Sequence, residues 1–389
     1  MTPPLTVLLA PDKFKGCLAA IDVCKELRTG LLASAFPVEV VLRPMADGGE
    51  GTLDAALLAG FEALPVAAAD PLGRPRTARI GVRGSTALIE LAEICGLALL
   101  TGDTKDPMRA TTYGVGMAMK AAVEWGHRRL VVGIGGSAST DGGIGAATAL
   151  GARILDHNGQ PVRPGGAGLD DVASIDLGPM SALLDGISLT VATDVSSPLH
   201  GQFGAARVFA AQKGASPDQV RDLDAGLRNW SARLLATTGI DVSALSGGGA
   251  AGGFAAPFLA TGSARIASGA QLVLDLTDTR PAIAAATVVV TGEGRWDTQT
   301  AAGKAPHAVL DAARKADTPV IAVAGGFAAD ADLTGVLASY SLTELARPDR
   351  DPVRDVRALL REIGSRIARQ PLLRSFPGSG QAATNSVKS

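Results

Sequence analysis

The chain has 389 residues, a formal net charge of −2 and a 47% hydrophobic share. It can therefore bury a sizeable core, and its length favours two domains. Glycine is the departure: 48 residues against about 27 at average usage, with no collagen period and with Gly plus Pro below the ~25–30% of low-complexity chains. Basic residues form no block, and nine Phe, three Trp and two Tyr are too few for a base-stacking surface, so a nucleic-acid partner is excluded. No apolar run reaches the ~18 residues of a membrane span, and the N-terminal stretch lacks the basic and long apolar regions of a signal peptide. Three cysteines without a C-x-x-C pair and four scattered histidines argue for a reducing cytoplasm and against a zinc site.

In chain order, Leu5–Ala10 reads as a buried strand, Ala19–Leu32 as a helix, Val38–Leu42 as a second strand and Glu50–Leu58 as a helix. This alternation predicts a parallel sheet. From about Phe61 the pattern becomes an antiparallel meander with Gly-Arg-Pro turns. A helix over Thr111–Trp125 and a strand over Arg129–Ile134 follow. Ala152–Val162 reads as a hairpin turning at Asn158-Gly159, Ser188–Thr193 as a strand and Asp218–Leu235 as an amphipathic helix. The α/β rhythm resumes near Ala267, with strands at Thr287–Thr291 and Val320–Ala324 and helices at Ala305–Ala316 and Val353–Ile367. The expected architecture is α/β in two domains. A Rossmann-like parallel-sheet domain is built from residues 1–63 and 265–372, a mixed α/β domain is inserted over 64–264, and a disordered tail occupies 373–389.

Five polar, glycine-rich segments lie after predicted strands, at the sheet edge where open α/β folds bind ligands. The first, Ala10–Cys17, offers Lys15 beside Gly16 ahead of a helix, a setting for an anion. The second, Met45–Thr52, holds Asp47 and Glu50 among three glycines. The third runs from Gly133 to Gly143. Its Gly135, Gly136, Ser137 and Ser139 can form a backbone nest with added hydroxyls for phosphate. The fourth, Ala192–Leu199, carries Asp194. The fifth, Thr291–Thr300 closing at Gly303–Pro306, carries Glu293, Asp297, Gln299 and Lys304. A Walker A motif fails because residue 298 is Thr where glycine is needed. The dinucleotide-like Gly133-x-Gly135-x-x-Ala138 is interrupted where its helix should run.

These segments, in this order, resemble the bacterial-type glycerate kinase family. The matching strings are APDKFKG, MADGGEGT, DPLGRP, ATTYGVG, GIGGSASTDGG, ATDVSSPL, AQKGASP, GGGAAGG and TGEGRWDTQTAAGKAP. Cys17 and Trp296 depart from the family's common choices, which puts a hydroxyl role at position 17 in doubt. The resemblance implies an ATP- and Mg2+-dependent phosphotransferase acting on D-glycerate, a two-domain architecture with the active site in the cleft between domains, and 2-phosphoglycerate as the product.

A related small hydroxy acid as substrate, 3-phosphoglycerate as product, a nicotinamide oxidoreductase and a non-catalytic binder are the alternatives. Phosphoryl transfer needs charge neutralisation and positioning. Lys15, Lys304, Arg109 and the Gly135–Ser139 loop can supply the cations and N–H donors. Asp194, Glu293 and Asp297 are the candidate magnesium carboxylates, and Asp47 or Asp297 can accept the hydroxyl proton. The expected assembly is a monomer or homodimer, with no membrane partner.

Overall fold

Five strands, all parallel, form the first sheet of the computed structural model, which describes residues 5–33, 38–298, 304–347 and 349–370. In space they run Val336–Ser341, Val320–Phe327, Val288–Trp296, Leu5–Leu9, Val38–Leu42. They belong to a compact unit made of the described residues within 1–46 and 274–370. Val7, Leu9, Val288 and Val290 point to one face and are fully buried with Val23, Leu27, Leu31, Leu359 and Ile363 of the helices Ala20–Leu32 and Val356–Ile367. The helices Thr279–Ala285 and Ala305–Lys315 pack against the strands with residues outside that cluster, which puts them on the other face.

The pair Ala20–Leu32 and Val356–Ile367 crosses at glycine. A Cβ on Gly30 would lie 1.9 Å from the Arg361 carbonyl oxygen, and one on Gly364 would lie 2.3 Å from that of Leu27. Beside the crossing, the buried Glu26 accepts hydrogen bonds from Arg357 and Arg361. The two guanidinium groups hold its carboxyl below the usual carboxylate range despite the opposing cost of burial.

The second unit spans residues 47–273. Its six-stranded sheet runs Ala264–Ala267, Ser188–Ala192, Arg129–Gly133, Thr86–Glu90, Pro75–Arg83, Glu62–Ala69. The first four strands are mutually parallel and the last two pair antiparallel, so the meander expected from Phe61 is present and its third strand enters a parallel sheet. The Asn158-Gly159 turn forms, with Asp156 and Gln160 bonded across it. However, Arg153–Leu155 takes Ser174–Asp176 as its strand partner, and the turn contributes only an isolated bridge to Pro161. Pro161 has no N–H to extend a ladder. The long helix Pro217–Thr238 starts in a capping box between Ser216 and Gln219 and buries Leu223, Leu227, Trp230 and Leu234 against the unit's core.

Candidate functional site

The order of the first sheet contains a topological switch. From Leu5–Leu9 the chain steps outward to Val38–Leu42, and it later returns to lay Val288–Trp296 on the opposite side of Leu5–Leu9. The C-terminal ends of these two neighbouring strands are where an open parallel sheet forms a ligand crevice. Both ends carry candidate residues. Beyond Leu9 the backbone stays beside its neighbour: Ala10 N–H donates to the Val290 carbonyl and Asp12 N–H to that of Gly292, both at 2.8 Å. It then turns tightly, with Phe14 and Leu18 exchanging backbone hydrogen bonds around Gly16, which takes φ +76°. Lys15 sits exposed on this turn rather than at a helix start, because the helix begins at Ala20.

The fifth sequence segment is not a loop after a strand. The strand itself extends from Val288 to Trp296, past the expected end at Thr291, because Gly292 and Gly294 admit the neighbouring backbones. A Cβ on Gly292 would lie 1.7 Å from the Val323 carbonyl oxygen, and one on Gly294 3.2 Å from the Lys15 nitrogen. Glu293 is thereby buried at the strand end, with 8% exposure. Lys304 occupies the N-cap position of Ala305–Lys315, ahead of Pro306. Its Nζ lies 3.5 Å from Glu293 Oε2 and 3.8 Å from Asp297 Oδ1. Arg295 Nε approaches the other Asp297 oxygen at 3.7 Å. The structure thus gathers Glu293, Asp297 and Lys304 round one point and places the Lys15 backbone against Gly294, on the same strand. Gln299 lies outside the described residues.

In the second unit the strand ends carry the other candidates. Asp47 Oδ1 accepts the Gly49 N–H at 3.1 Å, forming an Asx turn. Gly48, at φ +84°, crosses the ends of two strands: a Cβ there would lie 2.7 Å from the Ala192 carbonyl oxygen, and one on Gly269 would lie 2.0 Å from that of Asp47. Asp194 caps the helix Gly269–Leu276, its Oδ1 accepting from Ser268 Oγ at 2.7 Å and Gly269 N–H at 3.0 Å, its Oδ2 from Ala270 N–H at 3.0 Å. Burial pushes its carboxyl above the usual range, these hydrogen bonds oppose that, and the charge of Asp47 adds to the rise.

The Gly133–Gly143 segment is folded inward more than a phosphate nest requires. Gly135 N–H donates to the Gly48 carbonyl at 3.1 Å and Ala138 N–H to that of Cys95 at 2.8 Å, while Gly136 takes φ +75°. Ser137 and Ser139 are buried. Lys213 Nζ donates to Ser137 Oγ at 2.9 Å and to the Ser139 carbonyl. Lys213 is itself buried, which lowers its ammonium to about 8 against the opposing pull of Cys95 and Asp141.

Three further buried residues of the second unit have no local sequence pattern that marks them. Lys213 is one, although its place in AQKGASP beside an apolar stretch was visible. Asp141 is another: fully buried, it accepts from Thr112 N–H at 2.7 Å, Thr112 Oγ1 at 2.9 Å and Gly145 N–H at 3.2 Å. The third is Glu90, at a strand end and 5% exposed, which accepts Leu53 N–H at 2.8 Å and Gly51 N–H at 3.3 Å. It holds the first turn of Thr52–Leu58, just after the Asp47 loop, and burial raises its carboxyl to about 7. Arg109 is exposed and lines a cavity of the same unit.

Comparison with known proteins converges on one description. The model of the glycerate kinase family matches residues 7–371. The chain is 38% identical to the glycerate kinase of Bacillus subtilis (strain 168) over 354 residues, covering 89% of this chain and 92% of that protein. It is 37% identical to the glycerate 2-kinase of Escherichia coli (strain K12) over 329 residues, covering 84% and 86%. A crystal structure of a candidate glycerate kinase 2 from Salmonella typhimurium LT2 superposes with a TM-score of 0.80 at 34% identity, covering 94% of this chain and 98% of that one.

Proposed function

The chain belongs to the glycerate kinase family, and on that premise we propose that it transfers the γ-phosphoryl group of ATP to the 2-hydroxyl of D-glycerate, giving 2-phospho-D-glycerate and ADP. It is an enzyme, a phosphotransferase with an alcohol acceptor. The observation that carries the reading from the residues is the Glu293–Lys304–Asp297 group at the switch point of the parallel sheet. A binder of small organic anions needs cations but has no use for converging carboxylates. A kinase needs both, one for phosphate and the other for the metal that accompanies it.

The donor set fits magnesium. One ammonium already lies within 4 Å of a carboxylate oxygen from Glu293 and another from Asp297, so two oxygen donors face a single cation position. Mg2+ is bound through one or two carboxylates, with phosphate oxygens and water completing its shell. Glu293 and Asp297 would hold it, and when bound it would neutralise charge on the transferring phosphate. Asp194, whose two oxygens both accept hydrogen bonds from the start of a helix, serves instead to orient the strand end that carries it. Lys304, at a helix N-terminus, neutralises phosphate oxygens, and Lys15 on its exposed turn binds either phosphate or the glycerate carboxylate. Asp297 is shared between Arg295 and Lys304. Asp47 or Asp297 is the proton acceptor in this reading. The hydroxyl oxygen forms the new bond to phosphorus, the bond to the bridging oxygen of ADP breaks, and the hydroxyl proton passes to the accepting carboxylate.

Lys213 braces the Gly135–Ser139 loop through Ser137 Oγ and the Ser139 carbonyl. No described helix is long and apolar enough to cross a membrane, and the free cysteines suit the cytoplasm, where this reading places the enzyme. The test is ADP release with D-glycerate, L-glycerate, glycolate and tartronate as acceptors. A clear preference for D-glycerate supports the reading, and equal or greater turnover with another acid shifts it to a related hydroxy-acid kinase.

A further inference from the structure

Two of the sequence segments, DPLGRP and ATTYGVG, play no part in the phosphotransfer reading, yet they meet in the second unit. Leu72, Gly73 and Pro75 of the first, and Thr111 and Tyr113 of the second, line a cavity of about 1530 Å³. Its floor is apolar, with Met108, Ile144 and Ile154 among the lining residues. Its charge is one-sided. Among the described lining residues four are arginine, at 76, 109, 153 and 163, and none is Asp or Glu.

Two of these arginines are balanced by acids behind the wall. Arg163 Nε lies 2.9 Å from Asp171, and Arg153 Nε lies 3.7 Å from Asp176. Arg76 and Arg109 make no ion pair with any described residue, and Arg76 Nε is buried without a hydrogen-bond partner. A buried N–H donor on a permanently charged guanidinium costs free energy until an acceptor reaches it. The lining holds no acid to offset these guanidinium groups, so the cavity's charge favours an anion from outside the chain. An apolar chamber with a few convergent polar groups is the usual form of a small-molecule site.

We propose that this cavity is a binding site for an amphipathic organic anion. The apolar body of the ligand lies on the Met108–Ile144–Ile154 floor, and its carboxylate or phosphate group is received by Arg76 and Arg109. The site is built by the second unit alone and does not depend on the phosphotransfer reading. A nucleotide and a medium-chain carboxylic acid both carry this chemistry.

Isothermal titration of the full chain with octanoate tests it, with n-octanol as the uncharged control of equal chain length. The expected result is saturable binding at one site per chain, at least about tenfold weaker for the alcohol. Arg76→Gln should weaken octanoate about tenfold or more, the loss of a hydrogen bond to a charged group. Thr148→Glu places an acid at an exposed position on the cavity wall and should weaken it similarly. Thermal melts confirm that each variant is folded. Displacement of octanoate by ADP assigns the site to nucleotides, and its absence assigns it to carboxylic acids. Octanoate binding that fails to saturate, that octanol matches, or that survives unchanged in both folded variants overturns the proposal.

Discussion

Replacing Glu90 with Gln should remove a pH dependence of stability that the wild-type chain carries. Glu90 is buried and its carboxyl is raised from 4.5 to about 7. Between those values the folded chain holds a proton that the unfolded chain has released. Its contribution to stability is therefore fully present below about 4.5 and is lost as pH rises through about 7. Each pH unit of that interval is worth about 1.36 kcal/mol, so the whole rise corresponds to about 3 kcal/mol. The ionised group still accepts the N–H groups of Gly51 and Leu53, so the helix start persists at higher pH with less support. Gln keeps one acceptor and cannot titrate. Urea unfolding of both proteins at half-unit steps from pH 4.5 to 8 measures the effect. The difference in unfolding free energy, wild type minus variant, should fall by about 2–3 kcal/mol across the range. A difference flat to within about 0.5 kcal/mol would refute the reasoning, since a group buried this deeply must couple folding to its proton.

Other expectations bear on the site and its frame. Lys304→Ala should lower kcat by about 10²–10³, the typical loss of one positioned charge stabiliser, and should also lower the melting temperature, because it takes an ammonium from beside the buried Glu293 carboxylate. Near-normal turnover would remove Lys304 from the site. Glu293→Gln and Asp297→Asn should each raise the magnesium concentration needed for half-maximal rate, whereas Asp194→Asn should lower thermal stability and leave the magnesium midpoint near the wild-type value. A magnesium titration of all three variants separates these roles. Gly30→Ala, a change that helps most helix interiors by about 1 kcal/mol, should here destabilise by about 1–3 kcal/mol, because the new methyl meets the Arg361 carbonyl at 1.9 Å. Denaturant midpoints read the sign.

Local pattern carries much of this molecule and misreads a specific part. Strands such as Leu5–Leu9, Val38–Leu42 and Arg129–Gly133 lie where apolar runs between turn residues place them. Helices such as Ala20–Leu32 and Ala305–Lys315 agree with their periodicity to within a residue or so at each end. The candidate acids and Lys304 were visible because they stand beside glycines at strand ends. What glycine does there was not visible. Gly133, Gly135, Gly48 and Gly269 are needed first for backbone-to-backbone approach within the second unit. The Gly247–Gly253 run, which had no role in the sequence, packs likewise: Gly249 lies over the Pro198 carbonyl, and Gly252 accepts the Gly142 N–H. Such contacts join segments from about fifty to more than two hundred residues apart, and no local period encodes them. The same holds for Lys213, whose partners Ser137 and Ser139 lie more than seventy residues away.

The central claim is the transfer of phosphate to the 2-hydroxyl of D-glycerate. It is tested most directly by incubating the enzyme with ATP, Mg2+ and D-glycerate, then adding enolase without a phosphoglycerate mutase and following phosphoenolpyruvate. Immediate formation of phosphoenolpyruvate in step with ADP release is the predicted result. ADP release that yields phosphoenolpyruvate only after mutase is added would place the phosphate on the 3-hydroxyl and contradict the account.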